Sequence, residues 1–184
     1  LYCTNPLCQA KQIKSFALFV SRDAMNMEGL SEATLEKFIA RGFIKDYTDI
    51  FHLDRYEEDI KTMDGFGEKS YVNLINSVEN SRNTTLPRLV YSLGIANIGL
   101  ANAKMICKAL DYDPGRLTEA TVEELSEISG VGGVIAKAFV DYFADPVHRE
   151  LLERLLKEVK IPKEEIQAGA QVFENMNFVI TGSV

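Results

Sequence analysis

Four short stretches of the chain repeat one form: an apolar residue, any residue, glycine or asparagine, an apolar residue and a small one, each followed by a helical run. They are Met27-Glu28-Gly29-Leu30-Ser31, Met63-Asp64-Gly65-Phe66-Gly67, Ile95-Ala96-Asn97-Ile98-Gly99 and Ile128-Ser129-Gly130-Val131-Gly132. Their third positions, 29, 65, 97 and 130, lie 36, 32 and 33 residues apart. That spacing fits one pair of short helices per unit. A longer echo pairs the units, because Glu58-Asp59-Ile60 ahead of the second turn aligns with Glu123-Glu124-Leu125 ahead of the fourth at an offset of 65. The expected organisation is two blocks of two turns, residues 13–85 and 86–160, followed by a linker over 161–171.

Between the turns the chain reads as helix almost throughout. Apolar residues recur at three and four, as in Leu35, Phe38, Ile39 and again Val72, Leu74, Ile75, Val78, the period of a helix with one buried face. Asp54 ahead of Glu57, and Thr121 three before Glu124, read as helix starts in the manner of a capping box. Strand-like alternation is confined to residues 172–184. The predicted fold class is all-α.

A glycine-apolar-glycine turn between two helices is suited to anions. The glycines are expected to take positive φ and to let another backbone approach, the central apolar residue anchors the turn in the core, and free N–H groups at the next helix's start point outward. Helix N-termini and turn nests hold phosphate through such donors and the helix dipole, without a basic side chain at each contact. The candidate phosphate-contacting residues are Gly65, Phe66, Gly67, Glu68 and Lys69 at the second turn, Asn97, Gly99 and Lys104 at the third, and Gly130, Gly132, Gly133, Val134 and Lys137 at the fourth. The three lysines fall in or near the first turns of the following helices, where each adds a charge-assisted contact. One such pentapeptide alone matches an ordinary helix–helix turn with a C-cap glycine; four at near-regular spacing are a stronger signal. The second and fourth turns keep both glycines and are expected to grip best. The first has Ser31 in the second place, with acids at Glu28 and Glu32, and is expected to be structural.

The formal charge of −7 counts against a protein that coats nucleic acid by charge alone. The charge is uneven, however: from Asn80 to Leu110 there are Arg82, Arg88, Lys104 and Lys108 and no acid. Main-chain donors would let an acidic chain hold a duplex, with its acids on faces turned away.

Other chemistry finds little support. Three cysteines do not make a disulfide framework, and Cys107, amid Ala103, Ile106 and Leu110 at helical spacing, reads as core. Gly67-Glu68-Lys69-Ser70 lacks the contiguous Gly-Lys-Ser and the earlier glycine of a nucleotide loop. His52 and His148, each among charged neighbours, read as surface residues without metal-ligand spacing. No long apolar run or signal-peptide order indicates membrane insertion or secretion, so a cytoplasmic protein is expected. The chain opens on Leu1 and stops on an apolar strand at Val184; it is expected to be an excised segment whose neighbours hold the chemistry.

At these residues the chain resembles the NAD-dependent DNA ligases of bacteria. Ser21-Arg22-Asp23-Ala24-Met25 with Glu28-Gly29-Leu30, then Phe66-Gly67-Glu68-Lys69-Ser70, then Tyr91-Ser92-Leu93-Gly94-Ile95 with Ile98-Gly99 are similar, in order and spacing, to that family's helix-hairpin-helix domain. Cys3 and Cys8 resemble the second half of its four-cysteine zinc finger, and Phe173 through Phe178-Val179-Ile180-Thr181-Gly182 resemble the opening strand of its BRCT domain. The resemblance implies four helix-hairpin-helix repeats over 13–160, a zinc-finger remnant over 1–12 with Cys3 and Cys8 as a half site, and a first BRCT strand over 172–184.

It also implies a nick-sealing enzyme of replication and repair. Such an enzyme adenylates a lysine with NAD, passes the AMP to a 5′-phosphate and joins it to a 3′-hydroxyl, with NAD, magnesium and zinc as cofactors of the whole protein. The segment would grip duplex DNA, nicked in the working enzyme's case, as part of a clamp with the ligase's remaining domains. The nucleophilic lysine belongs to a Lys-x-Asp-Gly motif; Lys61-Thr62-Met63-Asp64-Gly65 has one residue too many, so no catalytic residue and no cofactor is assigned to this segment, which alone is expected to be inactive. Two alternatives stay open: a hairpin module of another DNA repair protein, and a helical protein-interaction domain.

Overall fold

The computed structural model describes residues 9–162; Cys3, Cys8, most of the expected linker and the expected strand over 172–184 lie outside the described residues. The described chain is helical, as the periodicity predicts. In order it forms α1 (Gln9–Val20), α2 (Glu32–Ala40), a 3₁₀ segment (Tyr47–Tyr56), α3 (Glu57–Lys61), α4 (Glu68–Ser81), α5 (Leu86–Ser92), α6 (Leu100–Ala109), α7 (Pro114–Glu119), α8 (Val122–Ser126), α9 (Gly133–Ala144) and α10 (Pro146–Glu158).

Short polar side chains turned back onto the first amides fix many of the starts. Ser31, Thr85, Asp113, Thr121 and Asp145 each cap a helix and accept from a backbone N–H two or three residues on. Pro87, Pro114 and Pro146 follow within the first two helical positions, where a missing N–H leaves no helix bond unmade. Thr121 is thus the cap that the sequence indicates, but Asp54 is not. Ile50, Phe51 and Leu53 are all drawn into the core, so the turn begins earlier and as a 3₁₀ segment. Its cap is Asp46, which accepts from the Thr48 amide at 2.9 Å while Asp49 takes the Asp46 amide at 3.1 Å. α3 then follows with Tyr56 at its cap and no side-chain bond.

Each repeated turn joins two helices that lie against each other: α1 with α2, α3 with α4, α5 with α6, and α8 with α9. α1 also meets α5, and α10 meets both α9 and the 3₁₀ segment. The two blocks therefore close over one continuous core. Phe19, Leu35 and Phe38 from the first block, and Leu86, Leu89, Ile106 and Phe139 from the second, are all at 0% exposure. Burying side chains of this size stabilises by about 1.5–3 kcal/mol each. Cys107 is packed among them, and burial pushes its thiol up to about 12, so it behaves as an unreactive apolar residue.

The histidines depart from expectation. Both are half-buried rather than at the surface, because their partners are not their charged sequence neighbours. His148 stacks on Tyr142, with ring centroids 3.9 Å apart, and its Nδ1 lies 2.7 Å from the Tyr142 carbonyl. His52 Nε2 lies 2.7 Å from Oε1 of Glu158, 106 residues away.

Candidate nucleic-acid interface

The four repeated turns share one backbone signature. Their third residues carry the positive φ: +86° at Gly29, +85° at Gly65, +63° at Asn97 and +87° at Gly130. Asparagine is among the few non-glycine residues that enter this region readily, which explains how the third turn keeps the shape without a first glycine. The central apolar residues Leu30, Ile98 and Val131 are buried; Phe66 is half-buried, its ring 5.8 Å from that of Phe38.

The second small residue has a different job from the one expected. Gly67, Gly99 and Gly132 do not take positive φ. They are the N-caps of α4, α6 and α9, with extended backbones at φ −149°, −87° and −83°. A Cβ at any of the three would meet nothing within 4 Å, and none of these helix starts has a side-chain cap. The first-turn amides therefore face outward with no side chain to satisfy them. Neither backbone strain nor packing within the chain demands glycine here.

The first turn is closed from within. Ser31 Oγ accepts from the Thr34 amide at 3.2 Å, and the Glu28 amide donates to Ser77 Oγ at 2.6 Å. A Ser-x-x-Thr start is visible in the sequence and would have disclosed this cap; the distant Ser77 has no local signal.

Packing pairs the turns as the 65-residue echo indicates. A Cβ at Gly29 would lie 3.8 Å from Leu74 of α4, the helix that begins at the second turn, and one at Gly130 would lie 3.0 Å from Met105 Sδ of α6, which begins at the third. First and second turns thus share one site, third and fourth another. Between the first two lies a cleft of about 760 Å³ lined mainly by uncharged polar groups, among them Asn26, Thr34, Asn73, Asn76 and Asn80, together with Glu28.

Of the predicted side chains, Lys69, Lys104, Lys137, Glu68 and Val134 are exposed near their helix starts, Val134 at 72%. Lys137 pairs with Asp141 at 2.6 Å on the same helix, an exposed bond open to exchange. The arginines of the acid-free stretch serve the interior instead. Arg88 Nη1 donates to the carbonyls of Arg22 and Ala24 at 3.3 and 3.4 Å, and Arg82 ties α4 to α10. Lys61 is taken up by Glu57 at 2.5 Å and lies 5.2 Å from the Tyr71 ring centre. Among the described residues, no cluster of three or more His, Cys, Asp or Glu side chains could hold a metal, and no helix is long and apolar enough to cross a membrane.

The turns pair helices as hairpins, and the family pattern described as "helix-hairpin-helix motif" matches residues 88–152, which contain the third and fourth turns. The particular likeness is narrower. The whole chain is 57% identical to part of a DNA ligase of Lachnoclostridium phytofermentans and 50% identical to part of one from Ruminiclostridium cellulolyticum. A DNA ligase of Spiroplasma citri is 37% identical over 98% of the chain. The chain spans about 28% of the length of the first two relatives.

Proposed function

We propose that this segment holds duplex DNA by its phosphates, without sequence preference, as a non-catalytic part of an NAD-dependent DNA ligase in the cytoplasm. The observation that carries the reading is the set of open glycine caps at Gly67, Gly99 and Gly132. Glycine at a position with extended φ and empty space around it reserves room for something outside the chain, and the amides beside it supply what a phosphate oxygen needs. Gly65, Phe66, Asn97, Gly130 and Gly133 shape the turns, while Lys69, Lys104 and Lys137 add charge near the same oxygens. Glu68 and Val134 lie within reach as well, one unfavourable to an anion and one neutral.

Chemistry is assigned elsewhere in the parent protein, since no Lys-x-Asp-Gly lysine is present in the chain. NAD and magnesium would serve that part. Cys3 and Cys8 would contribute two thiolates of a four-ligand zinc site, residues 161–171 would link to a further domain, and residues 172–184 would open its first strand.

Replacing Gly67, Gly99 and Gly132 together by serine tests the reading cleanly. Serine is a good N-cap, so helicity and stability should be kept, while each new hydroxyl takes the amide that a phosphate would need, as Ser31 does in the first turn. Affinity for nicked duplex at low salt should fall by about tenfold or more, on the order of 0.5–1.5 kcal/mol for each hydrogen bond removed. A folded variant that binds as well as the parent would sink the proposal.

A further inference from the structure

α10 begins in the second block and ends on the first. Its apolar residues Leu152 and Leu155 enter the shared core. On its polar side Arg154 and Glu158, one turn apart, reach across. Arg154 Nη1 lies 2.6 Å from Asp46 Oδ2, the cap of the 3₁₀ segment. Glu158 meets His52 Nε2 at 2.7 Å and Arg82 Nη1 at 2.8 Å. The same guanidinium donates from Nη1 to the Glu158 carbonyl at 2.9 Å, from Nη2 to the Phe51 carbonyl at 2.9 Å and from Nε to Glu79 at 3.1 Å, and it lies 5.0 Å from the Phe51 ring centre. The backbone then closes over it: Lys160 N donates to the Arg82 carbonyl at 2.6 Å, and Thr84 N to the Lys160 carbonyl at 3.3 Å.

Burial pushes the Glu158 carboxyl up, but the bonds from Arg82 and His52 outweigh it and hold it below the ordinary glutamate value. An isolated exposed ion pair would contribute little. This one is different, because both side chains are only 20% exposed and a single guanidinium joins the end of α4, the 3₁₀ segment and the end of α10.

We propose that α10 is a strap, and that Arg82 and Glu158 are positioning residues: they hold the two pairs of turns at a fixed angle so that both meet one duplex at once. The proposal rests on the phosphate-holding reading. Its physical content is that of two linked sites, where the second contact is intramolecular only while the geometry between them is kept.

The test uses the 184-residue chain and duplexes of about one and about two helical turns, the shorter reaching one pair of turns and the longer both. Glu158→Gln and Arg82→Gln should keep their helicity and their affinity for the short duplex, and should lose the parent's advantage on the long one, about threefold or more. Arg154→Gln, which frees α10 from Asp46 while leaving the Asp46 cap in place, should do the same. Equal losses on both duplexes would mean that these residues only stabilise the fold, and an unchanged long-duplex advantage would mean that no strap operates; either result overturns the proposal. A parent that binds neither duplex defeats the phosphate reading and the strap's role with it, whereas a parent that binds both, with variants like it, defeats the strap alone. If Arg82→Gln fails to fold, Glu158→Gln and Arg154→Gln decide.

Discussion

The first and second pairs of turns share a backbone and differ in charge. Directly after the cap stand Glu32 and Glu68 in the first pair, Leu100 and Gly133 in the second; five residues after the cap stand Glu36 and Val72 against Lys104 and Lys137. Ahead of the positive-φ residue the contrast repeats, with Glu28 and Asp64 against Ala96 and Ser129. An acid in the first helical turn stabilises an empty helix start through the dipole and repels a phosphate brought to it. One backbone design thus carries two charge patterns: acids follow the caps in the first pair, with Lys69 the basic residue beside the open Gly67 cap, and no acid follows them in the second. This changes the ranking of the turns. Paired glycines favour the second and fourth, but the second glycine is only an open cap, which the third turn has as well, and charge then places the third beside the fourth. The matched helix-hairpin-helix pattern covers that second pair.

The largest expected effect separates the pairs by packing. Gly130→Val meets both an unfavourable φ and Met105 at 3.0 Å, while Gly65→Val meets the φ alone. Strain at such a position costs about 1–3 kcal/mol, so Gly65→Val should lie in that range and Gly130→Val beyond it, measured by urea denaturation. Equal losses would show that the Met105 side chain swings aside and that the close contact does not matter.

Charge exchange should have a smaller effect, on binding rather than stability. Lys104→Glu with Lys137→Glu should weaken duplex binding, each lost phosphate contact lowering the salt slope by about 1; Glu36→Lys with Val72→Lys should strengthen it. Titration over a salt series checks both. If the second exchange gains nothing while the first loses much, the first pair lies off the duplex, which sharpens the contrast and defeats the strap's two-site role.

The smallest effect comes from acid. Burial pushes the Asp46 carboxyl up, but bonds from Thr48 and Arg154 outweigh it and hold it below its ordinary value of 3.8; Glu158 likewise sits below 4.5. Carboxyls depressed by folding stabilise the native state above their unfolded values, and that contribution fades as pH falls through the depressed ones. Unfolding midpoints should therefore decline below about pH 4.5, and less steeply in Asp46→Asn with Glu158→Gln. Parallel slopes in parent and variant would mean that these pairs give no net stabilisation.

Much of this was legible in the chain because it is local. Positive φ at Gly29, Gly65 and Gly130 follows from glycine in a tight turn, the burial of Cys107 from its helical neighbours, and the Thr121 cap from a three-residue spacing. What stayed hidden depends on partners far along the chain. Arg82 reads as part of a basic stretch until Glu158, 76 residues away, claims it. His52 reads as surface for the same reason. The 3₁₀ segment escaped because Asp54 imitates a cap, and only the burial of Ile50, Phe51 and Leu53 shows where the helical turn begins.

The boundary between the blocks, at Thr85 and Leu86, lies inside the shared core, with Leu86, Leu89 and Val90 all at 0% exposure. Solenoid repeats touch only their neighbours and tolerate gain or loss of a unit. Here a unit cannot be spliced out or grafted on, because removing either half would lay bare the interior of the other. The repeat visible in the sequence is thus locked into one folding unit: its two copies differ in charge and capping, but must be truncated or transplanted as one piece.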